Sequence, residues 1–246
     1  MSRPALTAWR ADALRVSAFP TPDAVITPDA WWKDLLGAEA EVETLRKGRL
    51  VRQEQGEALG GLLRLTVQPG RIDWSLGPKP PPQPPEDFPS VGTFTESLPR
   101  LVDLVSRWTP SCPTLGRFAF GVNASMPAAS QEEAYGVLDA LLPAVEVDPS
   151  TTDFQYRVNR PRNSRLNIEG LRVNRLSTWA AMRMEVMALT GGSQPFRAAP
   201  TFAVRAELDI NTAPDFAGPL PMASLTDLLR EFADLAAEIL TEGERP

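Results

Sequence analysis

The tetrapeptide Arg-Val-Asn-Arg occurs twice, at residues 157–160 and 172–175, each time behind a large apolar residue, Tyr156 or Leu171. In extended backbone, successive side chains point to opposite faces. Arg157 and Asn159 therefore share one face, as do Arg172 and Asn174, while Val158 and Val173 turn to the other. If the two segments pair as a hairpin, these four polar groups converge, flanked by Arg160 and Arg175, and Arg162 and Arg165 of the connection PRNSR decorate its end. Guanidinium forks beside asparagine amides suit phosphates, carboxylates or an acidic protein surface.

The charge distribution points the same way. Between residues 157 and 183 there are seven arginines and one acid, Glu169, a local +6 within a chain whose net charge is −6. One reading is intramolecular, because residues 207–246 hold nine acids against two bases and these arginines can simply meet them. The other is a docking surface. A protein partner ranks above nucleic acid, since a chain with a pI near 4.9 must overcome its own acidic bulk to hold a polyanion.

Much other chemistry is excluded. Without histidine there is no Ser-His-Asp or Cys-His pair, no HExxH zinc site and no histidine general base. The single cysteine, Cys112, cannot build a structural zinc site or an intrachain bridge, and no base or cation neighbours it in Pro110-Ser-Cys-Pro113, so a structural thiol is expected. Neither GxxxxGK[ST] nor a strand-linked GxGxxG is present, and none of the three lysines follows an acid two positions earlier. No cofactor and no metal site is expected. Carboxylate chemistry survives: Glu39, Glu41 and Glu43, Glu146 and Asp148, and Glu207 and Asp209 each alternate along extended segments. A solvated strand face is the simpler account of all three sets.

These residues need elements to position them. Leu14, Val16 and Ala18 alternate with polar neighbours, as a half-buried strand requires. A short helix follows, with Thr27 as its cap, Pro28 in its first turn and Gly37 at its end. Residues 41–54 form an edge hairpin turning at Gly48. In the clearest hairpin, Leu63, Leu65 and Val67 lead through Pro69-Gly70 to Ile72, Trp74 and Leu76. Leu98, Leu101, Val102, Val105 and Trp108 have helical spacing up to Pro110, and Phe118, Phe120 and Val122 mark a strand. Ser130 and Glu133 make a capping box for a helix that Pro143 ends. Alternating apolar residues at 154–158, 171–173, 182–186 and 202–210 predict four strands of an antiparallel meander. A terminal helix over 224–241, opened by Ser224-x-x-Asp227, should cover them. Trp74, Trp108 and Trp179 sit on apolar stripes and are expected in the core.

The fold class is thus α+β: a large, mainly antiparallel sheet, with the meander in the C-terminal half, packed by about four helices. Residues 78–89, PKPPPQPPEDFP, carry seven of the 25 prolines and form a stiff connector. They divide the chain into an N-terminal α+β segment (1–77), the connector, and a C-terminal α+β region (90–246). No apolar run is long enough to span a bilayer and no signal-peptide core opens the chain, so a cytoplasmic location without membrane insertion is expected. Three lysines against 22 arginines point to a GC-rich bacterial genome.

LLRLTVQPGRIDWSL at 62–76, GRFAFGVN at 116–123 and AELDINT at 206–212, followed by an amphipathic terminal helix, resemble in order and character a sporadically distributed family of uncharacterised bacterial proteins of about this length. The resemblance covers most of the chain. It implies an α+β fold and brings no catalytic residues. The function expected from the residues is that of a non-enzymatic binding or regulatory subunit of a bacterial assembly. Nucleic-acid or polyanion binding through residues 157–175 and a carboxylate-dependent hydrolase are the alternatives.

Overall fold

The computed structural model describes residues 3–28, 30–46, 48, 51–81, 87–185, 187–188, 196–197 and 199–245. In chain order, β1 (Arg10–Pro20), α1 (Trp31–Leu36), β2 (Val42–Arg46), β3 (Val51–Ala58), β4 (Gly61–Gln68), β5 (Arg71–Gly77), β6 (Gly92–Thr93) and α2 (Phe94–Trp108) form the first run. The second comprises β7 (Leu115–Ala128), α3 (Gln131–Leu141), β8 (Gln155–Asn159), β9 (Arg162–Asn163), β10 (Arg172–Met184), β11 (Met187–Ala188), β12 (Phe196–Arg197), β13 (Thr201–Thr212) and α4 (Leu225–Glu242). Eleven strands make one antiparallel sheet in the order β2-β3-β4-β5-β1-β7-β13-β10-β8, with β6 beside β1 and β9 beside β10; β11 and β12 pair separately. The α+β class with a large antiparallel sheet is what the alternating segments require.

The topology repeats itself. A first strand, a helix, a three-strand meander and a second helix occur once as β1, α1, β3–β5 and α2, with β2 added at the outer edge, and again as β7, α3, β8-β10-β13 and α4. Each unit orders its strands alike, with the meander's last strand next to the first strand. The two first strands pair antiparallel at the centre, Val16 opposite Phe120 and Leu14 opposite Val122, so an approximate two-fold axis normal to the sheet passes between β1 and β7. One sheet therefore joins the residues on both sides of the proline-rich connector, of which 82–86 lie outside the described residues.

Strand alternation separates two faces. Leu14, Val16, Ile72, Trp74, Phe118, Phe120, Ala206 and Ile210 join a single buried core together with the apolar stripes of α2, α3 and α4. All six tryptophans are buried there: Trp31 and Trp74 both pack edge-on against Trp108, Trp32 stacks on Trp74, and Trp9 meets Trp179. Burying a side chain of this size contributes about 2–3 kcal/mol, which explains why the aromatics gather under the helices. Among the described residues the core side chains of these strands keep one parity, except across the bulges of the β1–β7 pair, where Ala11 and Leu115 fall out of step.

Several local expectations need correction. Helix α1 begins at Trp31 with Ala30 at its N-cap and no side-chain cap, so Thr27 and Pro28 stand ahead of it, though Gly37 ends it in the left-handed conformation (φ 71°). Ser130 caps α3 as expected, but the Glu133 carboxylate reaches the amide of Ala129 rather than that of Ser130. Ser224 lies at the N-cap of α4 without a side-chain hydrogen bond. The segments read as separate strands at 171–173 and 182–184 are the two ends of β10, a single 13-residue strand. Ser177, Trp179 and Ala181 carry the covered face between them; a serine in that row hid the continuity. Val186 lies outside the described residues.

Candidate functional site

The face of the sheet away from the helices is mainly polar, with a few apolar residues such as Leu62 on β4 and Leu176 on β10. It presents Gln53 and Gln55 on β3, Arg64, Thr66 and Gln68 on β4, Arg71, Asp73 and Ser75 on β5, and Arg15 and Ser17 on β1. Across the two-fold axis it continues with Asn123 on β7, Glu207 and Asp209 on β13, Asn174 and Thr178 on β10, and Arg157 and Asn159 on β8. Antiparallel sheets covered on one side take this pattern because exposed strand positions keep their polar groups hydrated. Counted over the described residues, this open face holds nine arginines (10, 15, 46, 64, 71, 117, 157, 172 and 205) and five carboxylates (12, 57, 73, 207 and 209), an excess of +4 on a chain of −6. The balancing acids lie elsewhere, including Asp227, Glu231, Asp234, Glu238 and Glu242 on α4.

The five carboxylates already have partners. Glu57 pairs with Lys79; Asp73 takes Arg71 at 2.8 Å and the Ser17 hydroxyl at 2.5 Å. Glu207 pairs with Arg205 at 2.7 Å, and the Asn211 amide donates to Asp209 at 3.0 Å. Asp12, the extra residue of a bulge in β1 where the register to β7 shifts, accepts from Ser125 at 2.7 Å. Burial pushes its carboxyl up to about 6, against the pull of Ser125 and the guanidiniums of Arg205 and Arg10. Arg71 and Arg117 pack on the ring of Phe19. By contrast, the exposed side chains of Arg15 and Arg157 make no ion pair or hydrogen bond among the described residues.

Three connected cavities run across this face. The first, about 370 Å³, lies between Arg157 and Arg15 and is walled by Glu207 and Asp209. The second, about 210 Å³, shares Arg15 and Asn123 with it and is floored by Ala13, Ser75 and Gly121. The third, about 260 Å³, shares Ala13 and Ser75 with the second and ends at Arg64. The trough opens here because the central strands carry small side chains: a Cβ on Gly121 would lie 3.6 Å from the Arg15 guanidinium, which therefore lies across the glycine backbone. Together they form a trough crossing seven strands, from β8 to β4, over the two-fold axis.

The eight residues read as a site from the sequence divide between the two faces. The Arg-Val-Asn-Arg segments are neighbours, but Asn159 stands opposite Leu176 and not within the second tetrapeptide. Asn159 donates to Asn174 at 3.2 Å, Asn174 to Asn211 at 3.1 Å, and Asn159 also accepts from the Arg175 amide, so the asparagines form a hydrogen-bonded run on the open face. Arg157 stands beside it, and Arg172 comes within 3.9 Å of Asp215. The remaining arginines turn to the helix side. Arg160 donates to Glu244 at 3.1 Å, a carboxylate only 2% exposed that also takes the Ser177 hydroxyl at 2.5 Å. Arg162 and Arg165 both meet Glu238, and buried Glu231 accepts from the Ser164 hydroxyl at 2.5 Å and the Arg165 amide at 2.8 Å. Burial and the neighbouring Arg165 and Arg175 lower the pKa of Arg162, while Glu238 raises that of Arg165. Arg175, half-buried, leaves its Nε without a hydrogen bond.

Arg15 and Arg64 were not singled out from the sequence, where each is an ordinary polar position in an alternating strand. Only the strand order places them in one trough with Arg157. Among the carboxylate sets, Glu207 and Asp209 do share a cavity; Lys33 and Arg52 engage Glu39 and Glu43, and Asp148 closes its own turn onto Ser150. Cys112 is buried, and burial pushes its thiol up to about 12, so no thiolate forms near neutral pH. Among the described residues no group of three or more acids or cysteines is placed to hold a metal, and no helix is long and apolar enough to cross a membrane. Comparison of the chain with protein-family models, with curated proteins and with solved structures finds no match.

Proposed function

We propose that this protein is a non-enzymatic binding subunit of a bacterial protein assembly and that the open face of its sheet is the docking surface. The observation that carries the reading is the unpaired state of Arg15 and Arg157 on a polar, helix-free sheet face whose carboxylates are already engaged. Exposed guanidiniums without a protein partner on a wide sheet surface suit an interface that gains its specificity from charge complementarity. Arg157, Asn159, Arg172 and Asn174 of the repeat contribute to it; Arg160, Arg162 and Arg165 hold the connection onto α4. The test is affinity capture from the native cytosol after nuclease treatment, comparing the wild-type chain with R15E/R157E and with a helix-side control, R230E. A defined protein recovered by wild type and control but lost with R15E/R157E supports the reading. Recovery independent of the face variants removes it, and recovery only without nuclease transfers the face to nucleic acid.

A second reading has one observation in its favour. Glu207 and Asp209 line the same cavity, as a carboxylate-dependent hydrolase requires. Turnover of aryl glycosides or phosphate esters that disappears in E207Q would establish it, and absence of turnover with both substrate classes would dismiss it.

A further inference from the structure

The trough carries its charge at regular intervals. Arg157 stands on β8; Glu207 and Asp209 are two strands away on β13; Arg15 is two strands further on β1; and Arg64 is two strands beyond that on β4. Neighbouring strands lie about 4.8 Å apart, so each step is roughly 10 Å, close to one turn of polyproline II backbone, whose three residues rise about 3.1 Å each and keep every third side chain on one face. The sign order along the trough is plus, minus, plus, plus. On β7, β1 and β5 the residues between the charges are small or amide-bearing, Asn123, Gly121, Ala13 and Ser75, which leaves room for a backbone to lie across the strands; on β10 they are Thr178 and Leu176.

Resting on the docking reading above, the geometry points to a definite occupant: a peptide segment of a partner protein in polyproline II conformation, about ten residues long, with an acidic residue at positions 1, 7 and 10 and a basic one at position 4. Its acids meet Arg157, Arg15 and Arg64, and its base meets the second oxygens of Glu207 and Asp209, Arg205 and Asn211 each taking the other. Arg64 already receives its orientation from Gln55, to which it donates at 3.0 and 2.8 Å. A nucleic acid fits this order poorly. Its phosphates are all of one sign and would be repelled by the β13 carboxylates, and no aromatic ring lines the trough to stack a base.

The test uses the full chain and fluorescein-labelled peptides of equal composition at low ionic strength, read by anisotropy: EGSKGSEGSE, a permuted KGSEGSEGSE, and a twelve-nucleotide single strand as a polyanion control. The expected result is at least tenfold tighter binding of EGSKGSEGSE than of the permuted peptide. R15E/R157E should lose at least tenfold for that peptide, and E207K should abolish the preference between the two. Arg15 and Arg157 have no side-chain partners among the described residues, and circular dichroism checks that the variants remain folded. Equal affinity for both peptides, no measurable binding, or tighter binding of the oligonucleotide each overturns the inference. The docking reading falls separately, when capture of a protein partner is indifferent to R15E/R157E.

Discussion

Gly243 shows how much one backbone position can hold in place. It ends α4 with φ 71° and ψ −162°, a region that only glycine occupies readily, and a Cβ there would lie 2.0 Å from the Leu141 carbonyl oxygen. That approach lets the Glu244 amide donate to Leu141 at 2.9 Å and sets the Glu244 carboxylate against Ser177 and Arg160. G243A should cost about 3 kcal/mol or more, since strain, overlap and loss of the buried carboxylate's partners act together; urea unfolding measures it. Asp12 gives a prediction of opposite sign. The folded protein binds this proton more tightly than the unfolded chain, with a pKa about 6 against 3.8. Stability from this group is therefore lost as pH rises between about 4 and 6, and the penalty is complete above that window. Asn in its place still accepts from Ser125. D12N should match the wild type below pH 4 and exceed it by about 1 kcal/mol at pH 8, the half-exposed position having reduced the gain by solvent screening. Equal stability of the two at pH 8 would contradict the assignment.

At the scale of elements, the covered and open faces respond differently to substitution. Phe232 on α4 is fully buried and packs 6.1 Å, ring to ring, from Phe118 on β7. F232A should cost about 3–5 kcal/mol, whereas R15S on the opposite face should change stability by no more than about 0.5 kcal/mol. Thermal unfolding of the pair tests whether the open face is free of structural duty. The elements themselves were largely legible. The β4–β5 hairpin follows from alternation around Pro69-Gly70, and α4 from its apolar stripe, because both periods are local properties of the chain. Ends and caps were less so: a serine or threonine at the right offset caps only when the incoming backbone lets its oxygen face the free amides. Ser130 achieves this; Thr27 and Ser224 do not.

At the scale of the whole molecule, the two topological units share one core. β1 pairs with β5 of its own unit and with β7 of the other, and α2 packs against α4. Calorimetry should therefore show a single transition with equal calorimetric and van't Hoff enthalpies despite the 246-residue length, while two resolved transitions would mean that the halves unfold independently. What the sequence by itself determined is local or subtractive. It specified the period-two and helical segments, the face on which most strand side chains fall, the burial of Trp74, Trp108 and Trp179, and the absence of histidine-based and thiol-pair chemistry. Only the tertiary structure decided which strands are neighbours, that Arg160, Arg162 and Arg165 are engaged by the acids of the last helix, and that Arg15, Arg64 and Arg157 open into one trough. The physical reason is range. A residue's face depends on its immediate neighbours along the chain, but the partner of its charge depends on contacts between segments as much as 84 residues apart, chosen by the burial of the core as a whole.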